Sequence, residues 1–569
     1  MLYKYIMSAG SLDTTFNSPN GVIFKQYTSG KFTDGQSVAI DSSGRIVVTG
    51  DTSDTTDTKS MFITRYLANG TVDTSFANGG VVIKQFNAGK DTIVWSLAID
   101  SKGRIVVTGG TFDNTDTVSM FITRYLADGS LDTSFANGGV IIKQYTTGKS
   151  TEGQSVAIDS NDRIVVTGYT IVIIGTSMFI TRYLANGNVD ASFADGGVVF
   201  EQYTSRYETV GFSVAIDSND RVVVTGSTRD ETDTRSMFIT RYLANGNVDT
   251  SFANGGVVVK RYTTAKTNVG ISVAIDSSDR VVVTGATGDD IQDNFQNLSM
   301  FITRYLANGS LDTGFADGGV IIKKYDVETT VGQSVAIDSN DRVVITGVTS
   351  DNTYIASMFI TRYLDNGSLD TSFAGGVVLK IYISEQDTRG SSVAIDSSDR
   401  VVVTGETSVN TNIESMFITR YLGDNVTTST TTEPICLVAG TPILTDQGIV
   451  AIEKIDTTKH TINNKRIVAV TKAISPEKHL VCFEANSMGI NCPSQRTIMT
   501  PGHEVLYKGK LVQSKHFVGR VTGVHTMPYN GKDVLYNVLQ EQHGLMRVNG
   551  MLLETLHPEN KVAKELLKK

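Results

Sequence analysis

Up to residue 422 the chain is built from short apolar runs bounded by Gly, Asn, Asp or Ser. Four kinds return in a fixed order, of the types GVVIKQY, SVAIDS, RIVVTG and SMFITRYL. Each is rich in Val, Ile, Tyr and Phe, which suit a pleated, half-buried surface, so each predicts a β-strand. The SMFITRYL string starts at residues 60, 119, 177, 236, 299, 357 and 415, at spacings of 58 or 59 residues with one interval of 63. A self-similar period of this length predicts an array of like units.

Four strands repeated seven times predict an all-β, seven-bladed β-propeller. The pattern begins with GVIFKQY (21–27), which no SMFITRYL precedes, and ends with SMFITRYL (415–422), which no GVVIKQY follows. The two ends are complementary fragments, so the N-terminal strand is expected to complete the last blade and remove an open sheet edge. An open solenoid is the alternative, and it needs no such complementarity. SVAID, with its small residues, is expected innermost. Two connections are nearly constant, DSSGR or DSNDR and ANGSLDTSFANGG, and two vary freely. Alternate connections of a meander emerge on one face, so the variability gathers on one face of the disc. It predicts a recognition surface for a protein or glycan ligand, although polar loops drifting without function would look the same.

Composition then divides the chain. All three cysteines (436, 482, 492) and all seven histidines lie after residue 435. From Cys436 to Lys569 there are 17 basic and 11 acidic residues, a net of +6, so the remainder carries −15 of the total −9. An acidic propeller argues against nucleic-acid binding. The recurrent Arg of ITRYL (Arg65, Arg124 and equivalents) is expected to pair with a carboxylate, and the recurrent Asp of LDTSF (Asp13, Asp73 and equivalents) to cap its own turn. With no histidine, cysteine or carboxylate cluster unique to one blade, the propeller is a poor enzyme candidate. The LDTSFANGG and AIDSSGRIVVTG signatures resemble the delta-60 repeat family of propellers over about residues 10–422, which implies a fold and little about function.

Residues 423–435 read as a Thr-rich linker, 436–560 as a second, small all-β domain, and 561–569 as a tail with a short helix. One cysteine with several histidines allows a thiol nucleophile with an imidazole partner. A zinc site from Cys482, Cys492 and His503 is a competing reading, and a cysteine buried as a small hydrophobe is another. CLVAGTPILT at 436–445, TPGHEVL at 500–506 with Thr500 and His503 three apart, and YNVLQEQHGLMRVNGMLLET at 536–555 resemble, in that order, motifs of the Hint family, the self-processing module of Hedgehog proteins and inteins. The match is closest to its bacterial and viral branch.

That resemblance implies self-cleavage at Ile435–Cys436, catalysed by Cys436, Thr500, His503 and His543. Cys436 would attack the Ile435 carbonyl, His503 protonate the departing nitrogen, Thr500 orient the histidine or bind the oxyanion, and His543 activate the nucleophile that resolves the thioester. That nucleophile would be water or an acceptor. Splicing members carry a terminal His-Asn pair where this chain has Glu554-Thr555, and only nine residues follow Asn560, so single-site cleavage is expected. A structural or adhesive protein with a degenerate Hint domain is the alternative; cleavage of other proteins in trans is a third. No cofactor and no metal is called for. No secretory signal is legible, and no apolar run approaches the roughly 18 residues of a membrane span. Localisation stays open, though the resemblance to fusions of large DNA viruses implies a virus-associated protein.

Overall fold

The computed structural model describes residues 9–204, 208–289, 297–326, 328–353, 355–410, 413–424, 436–473, 478–508, 510–530, 532–540 and 544–555. The chain divides into two compact units that meet in sequence between residues 425 and 426. Among the described residues there are strands and three 3-10 turns but no α-helix. Among those residues no helix is long and apolar enough to cross a membrane. The tail expected to be helical, and residues 425–435 of the expected linker, lie outside the described residues.

The described residues of the N-terminal unit form seven four-stranded antiparallel sheets. The first runs Thr33–Ile40, Ile46–Ser53, Lys59–Tyr66, Val81–Lys84, in sequence order. The last takes Thr388–Ile395, Val401–Asn410 and Ile413–Tyr421 from one end of the chain and Val22–Lys25 from the other, with Val22 opposite Thr419 and Lys25 opposite Met416. Apolar cores lie between successive sheets. One of them joins Phe16, Ile23, Met416 and Ile418 of the last blade to Val38, Val48 and Phe62 of the first, so the array closes on itself and is no open solenoid.

Closure is also written in hydrogen bonds. Each SVAID-type strand carries a β-bulge just before its serine, as between Gly153 and Ser155. A bulge re-aims the residue beside it, and here the serine Oγ accepts a backbone N–H from the next blade. Leu97 donates to Ser37, Val156 to Ser96, Val214 to Ser155, Val273 to Ser213, Val335 to Ser272, Val393 to Ser334 and Val38 to Ser392, at 3.2–3.3 Å. The ring has no gap. In six of the seven strands a glycine precedes the bulge, with Val94 in its place in the second blade; at Gly153 a Cβ would meet Thr108 Oγ1 of the preceding blade at 2.4 Å.

The recurrent arginine is structural. Arg241 Nε donates to Asp249 at 2.8 Å, another of its nitrogens donates to the Ala307 carbonyl in the next blade at 2.6 Å, and the guanidinium lies 4.5 Å from the Phe252 ring centre. The seventh copy pairs Arg420 with Asp13, a second tie between the chain ends. Each aspartate also accepts from its own turn, Asp249 from the Ser251 N–H and hydroxyl. Asp424, within the expected linker, pairs with Arg342 and Arg362 of the propeller.

The C-terminal unit is two sheets around one core. The larger has the strand order Thr461–Ile462, Lys465–Ala473, Leu535–Gln540, Leu437–Val438, Thr497–Met499, His479–Phe483, Val524–Pro528. The smaller has Gly448–Ala451, Pro442–Thr445, Leu545–Val548, Met551–Glu554, Glu504–Tyr507, Lys510–Gln513. Leu437, Val481, Met499 and Val538 of the first pack with Ile443, Val505, Met546 and Leu553 of the second.

Candidate functional site

Cys436 immediately precedes Leu437–Val438, a central strand of the larger sheet, in which Leu437 pairs with Met499 on one side and Tyr536 on the other. One step back along these registers sets Cys436 against Thr500 and Asn537. The Thr500 N–H donates to the Cys436 carbonyl at 2.9 Å. The Cys436 N–H donates to the Thr500 hydroxyl at 2.8 Å, and that hydroxyl lies 3.4 Å from the Cys436 carbonyl oxygen. The nitrogen of the expected scissile bond is therefore held by the threonine of the T-x-x-H motif.

Thr500 to His503 form the turn by which the chain passes from the larger sheet to the smaller. Its shape is over-determined by Ser514, whose hydroxyl donates to the Thr500 and Pro501 carbonyls at 2.8 and 3.0 Å. The Ser514 N–H donates to the His503 carbonyl at 2.8 Å. The spacing of three thus delivers both side chains to one place, with His503 wholly buried. Its Nε2 lies 3.3 Å from the Glu554 carbonyl oxygen, and its Nδ1 makes no hydrogen bond of good geometry to a described residue. Burial drives the imidazole down to about 4, opposed by the carbonyls of Glu554 and Cys436. The Cys436 side chain is 5% exposed and packs with Leu480 and Leu535, and that burial pushes the thiol up to about 12. At neutral pH the pair is a thiol beside an uncharged imidazole.

Two further polar groups belong here that sequence reasoning did not assign. Glu554 ends its strand beside the histidine, and its carboxylate accepts the Glu504 N–H at 3.2 Å. Burial, with the Glu504 carboxylate adding to it, raises Glu554 to about 7. Asn537 is 1% exposed, and its Oδ1 accepts the Val538 N–H at 2.7 Å. The one available signal for Asn537 was a polar residue inside an otherwise apolar strand, LYNVLQ. Thr555 is buried too, and its hydroxyl accepts the Gly544 N–H at 3.0 Å. Ile435 and His543 lie outside the described residues.

The zinc set considered from sequence is not assembled. Cys482 stands with Glu484 and His525, the only such group of three among the described residues. Cys492 is elsewhere, its carbonyl accepting the Met488 N–H at 2.7 Å.

On the propeller one expectation is corrected: carboxylates do gather at particular blades. Asp34 and Asp51 are paired across two strands of the first blade and both are buried. Glu152 accepts Trp95 Nε1 at 2.7 Å and the Tyr169 hydroxyl at 2.6 Å. Burial, followed by Glu406, Asp51 and Glu414, raises Asp34 well above the usual carboxylate range. The partners in these groups are 17 or more positions apart in sequence, as Asp34 and Asp51 are, so no local pattern announces them.

The Hint domain family model matches residues 435–560. The model of the DUF5122 β-propeller, a domain of unknown function, matches residues 42–76, 103–135, 160–193 and 218–252. No curated protein matches the chain. Among solved structures, the polysaccharide lyase Uly1 is similar at 9% identity and TM-score 0.41, over 69% of this chain and 90% of that one. A PL25 ulvan lyase is similar at 12% identity and TM-score 0.40, over 69% and 95%. The PQQ-bound aldose sugar dehydrogenase of Streptomyces coelicolor follows at 12% and 0.32, over 57% and 94%. At those scores the likeness carries no argument about activity.

Proposed function

We propose that this fusion of a DUF5122 β-propeller with a Hint domain cleaves itself once, at Ile435–Cys436, and frees or transfers the propeller. The observation that carries the reading is the 2.8 Å hydrogen bond from the Cys436 N–H to Thr500 Oγ1, beside the buried His503. A hydroxyl on the one amide nitrogen that must leave, with a buried imidazole in the same turn, supports the reading.

The chemistry balances without an outside reagent. As the Cys436 sulfur attacks the Ile435 carbonyl, a C–S bond forms and the C–N bond breaks. The thiol proton ends on the Cys436 nitrogen as a free amine. A thiol near 12 supplies almost no thiolate at neutral pH, so the proton has to leave sulfur as the bond forms. His503 is uncharged at that pH and accepts it. The imidazolium formed in a site that holds His503 to about 4 is a strong acid, suited to protonating a departing amide nitrogen. Water then attacks the thioester, which releases an Ile435 carboxylate and restores the Cys436 thiol; another acceptor would instead become joined to Ile435. Threonine has no carboxamide to cyclise, so Thr555 offers no route to a second cut. The released propeller presents its variable loops to a protein or glycan ligand.

A second reading, a binding protein with an inert Hint domain, draws on the same thiol: one buried among leucines behaves as a small hydrophobe. Intact mass of the full chain, before and after dithiothreitol, separates the two. Self-cleavage predicts fragments of 435 and 134 residues in the wild type and none in Cys436→Ala. A wild type that stays whole at every thiol concentration and pH overturns the proposal in favour of the second reading.

A further inference from the structure

The edge of the larger sheet carries a group of side chains that the cleavage chemistry does not use. Strand His479–Phe483 lies between Thr497–Met499 and Val524–Pro528, with Cys482 directly opposite His525 and Phe483 opposite Thr497. Residues two apart along extended chain share a face, as do residues directly opposed across a ladder. Cys482, Glu484, His525 and Arg496 are thereby brought to one side of the sheet. The contacts agree. Cys482 Sγ is 3.5 Å from Glu484 Oε1, and His525 Nε2 is 3.7 Å from the same oxygen. All three ligand atoms lie within 4.8 Å of one another.

We infer that Cys482, Glu484 and His525 form a binding site for a thiophilic divalent cation, zinc being the best fit. Thiolate, imidazole and carboxylate are the ligand types zinc takes, at about 2.3 Å from sulfur and 2.0–2.2 Å from nitrogen or oxygen. A tetrahedron of those bond lengths has edges of about 3.3–3.6 Å. The Cys482–Glu484 edge of 3.5 Å lies within that span and the His525–Glu484 edge of 3.7 Å just beyond it, so the site asks for small side-chain adjustments. The Glu484 and His525 side chains are 44% and 49% exposed, which gives an ion a way in and leaves its fourth position to water.

Arg496 now stands where the ion would act. Its Nε donates to Cys482 Sγ at 3.0 Å and lies 3.4 Å from Glu484 Oε1. The guanidinium is the cation currently serving the same sulfur and oxygen. Its side chain is 52% exposed and has a long flexible stem, so an arriving ion displaces it into solvent while the Cys482 proton leaves to water. Metal and arginine are competitors. Bound zinc would cross-link the strand of Cys482 to that of His525.

The test is a cobalt(II) titration of the reduced, chelator-treated full chain, followed by zinc competition. One equivalent of cobalt is expected to give sulfur-to-cobalt charge-transfer absorption with tetrahedral visible bands, and zinc to abolish both. Cys482→Ser removes the charge-transfer band, whereas Cys436→Ala and Cys492→Ser retain it. His525→Ala, at an exposed position where misfolding is not at issue, weakens binding about tenfold or more. Arg496→Met tightens it about tenfold, because a like charge is gone. Absence of the band in the wild type, its survival in Cys482→Ser, or unchanged affinity in His525→Ala overturns the site. Unchanged affinity in Arg496→Met overturns the competition.

Discussion

Arg241 in the propeller and His503 in the Hint unit are both ionisable side chains taken out of water, and they are handled in opposite ways. Arg241 stays charged, because Asp249, a neighbouring carbonyl and an aromatic face are all in place. His503 is given carbonyls in place of a counter-ion, and burial strips it of its charge. The arginine arrangement recurs in every blade, with Asp365 and Asp424 replacing the accepting carbonyl for Arg304 and Arg362. Among the described residues the histidine arrangement occurs once. A polar group repeated through an array has to serve what the repeats share, which is packing. A unique one, buried without a charged partner, is where chemistry is affordable to look for.

The comparison breaks most visibly at His503. His503→Ala is expected to slow thiol-dependent cleavage by about 10²–10⁴, the range for a general acid–base group, with the propeller's melting unchanged. Single-turnover cleavage and calorimetry on the same samples would show it. An equal loss of propeller stability would mean that His503, like Arg241, serves packing.

Arg241→Ala should do the reverse. It strands Asp249, whose side chain is 5% exposed, without its partner, and a broken buried pair costs about 3–5 kcal/mol. The propeller's denaturation midpoint should fall while the cleavage rate holds.

Acid should separate the units as well. Between pH 6.5 and 4 the unfolded chain binds a proton at His503 that the native ring refuses, so His503 by itself takes up to about 3 kcal/mol from the Hint unit as pH falls through that window, while Glu554, raised to about 7, acts in the opposite sense within the same unit. Asp51, raised to about 7 chiefly by burial, acts in the opposite sense. Its native carboxyl takes up a proton that the unfolded chain does not hold until near 3.8, so this contribution to propeller stability grows as pH falls. Scanning calorimetry at stepped pH on Glu554→Gln, which removes the offset at Glu554, should show the two transitions drawing apart. The smallest effect belongs to the ring of serines: Ser213→Ala removes one accepting hydroxyl and should cost about 1 kcal/mol, with no change in cleavage.

Much of this was legible before any coordinates. Strand identity follows from the composition of the four recurring runs, and closure from the complementary ends. The structural duty of Arg65 and Asp73 follows from their recurrence. Cys436, Thr500 and His503 stand out because the resemblance singles out one cysteine and one T-x-x-H. Other features were hidden for a common reason. Asn537 touches the site only through the pairing of Leu437 with Tyr536, nearly a hundred positions along the chain. Glu554 entered the sequence reading only as the place where a histidine was missing. It is position beside His503, together with burial, that gives it a titration near neutrality.

By itself the sequence determined an all-β chain in two chemically distinct parts and the residues that the proposed thiol-based reaction would use, because periodicity and residue type are local properties. Tertiary structure decided which polar groups lose their water and which meet. It set the Cys436 N–H on Thr500, discharged His503, and gathered Cys482, Glu484 and His525 on one face. Those outcomes depend on sheet register and depth of burial, which arise only when distant segments pack.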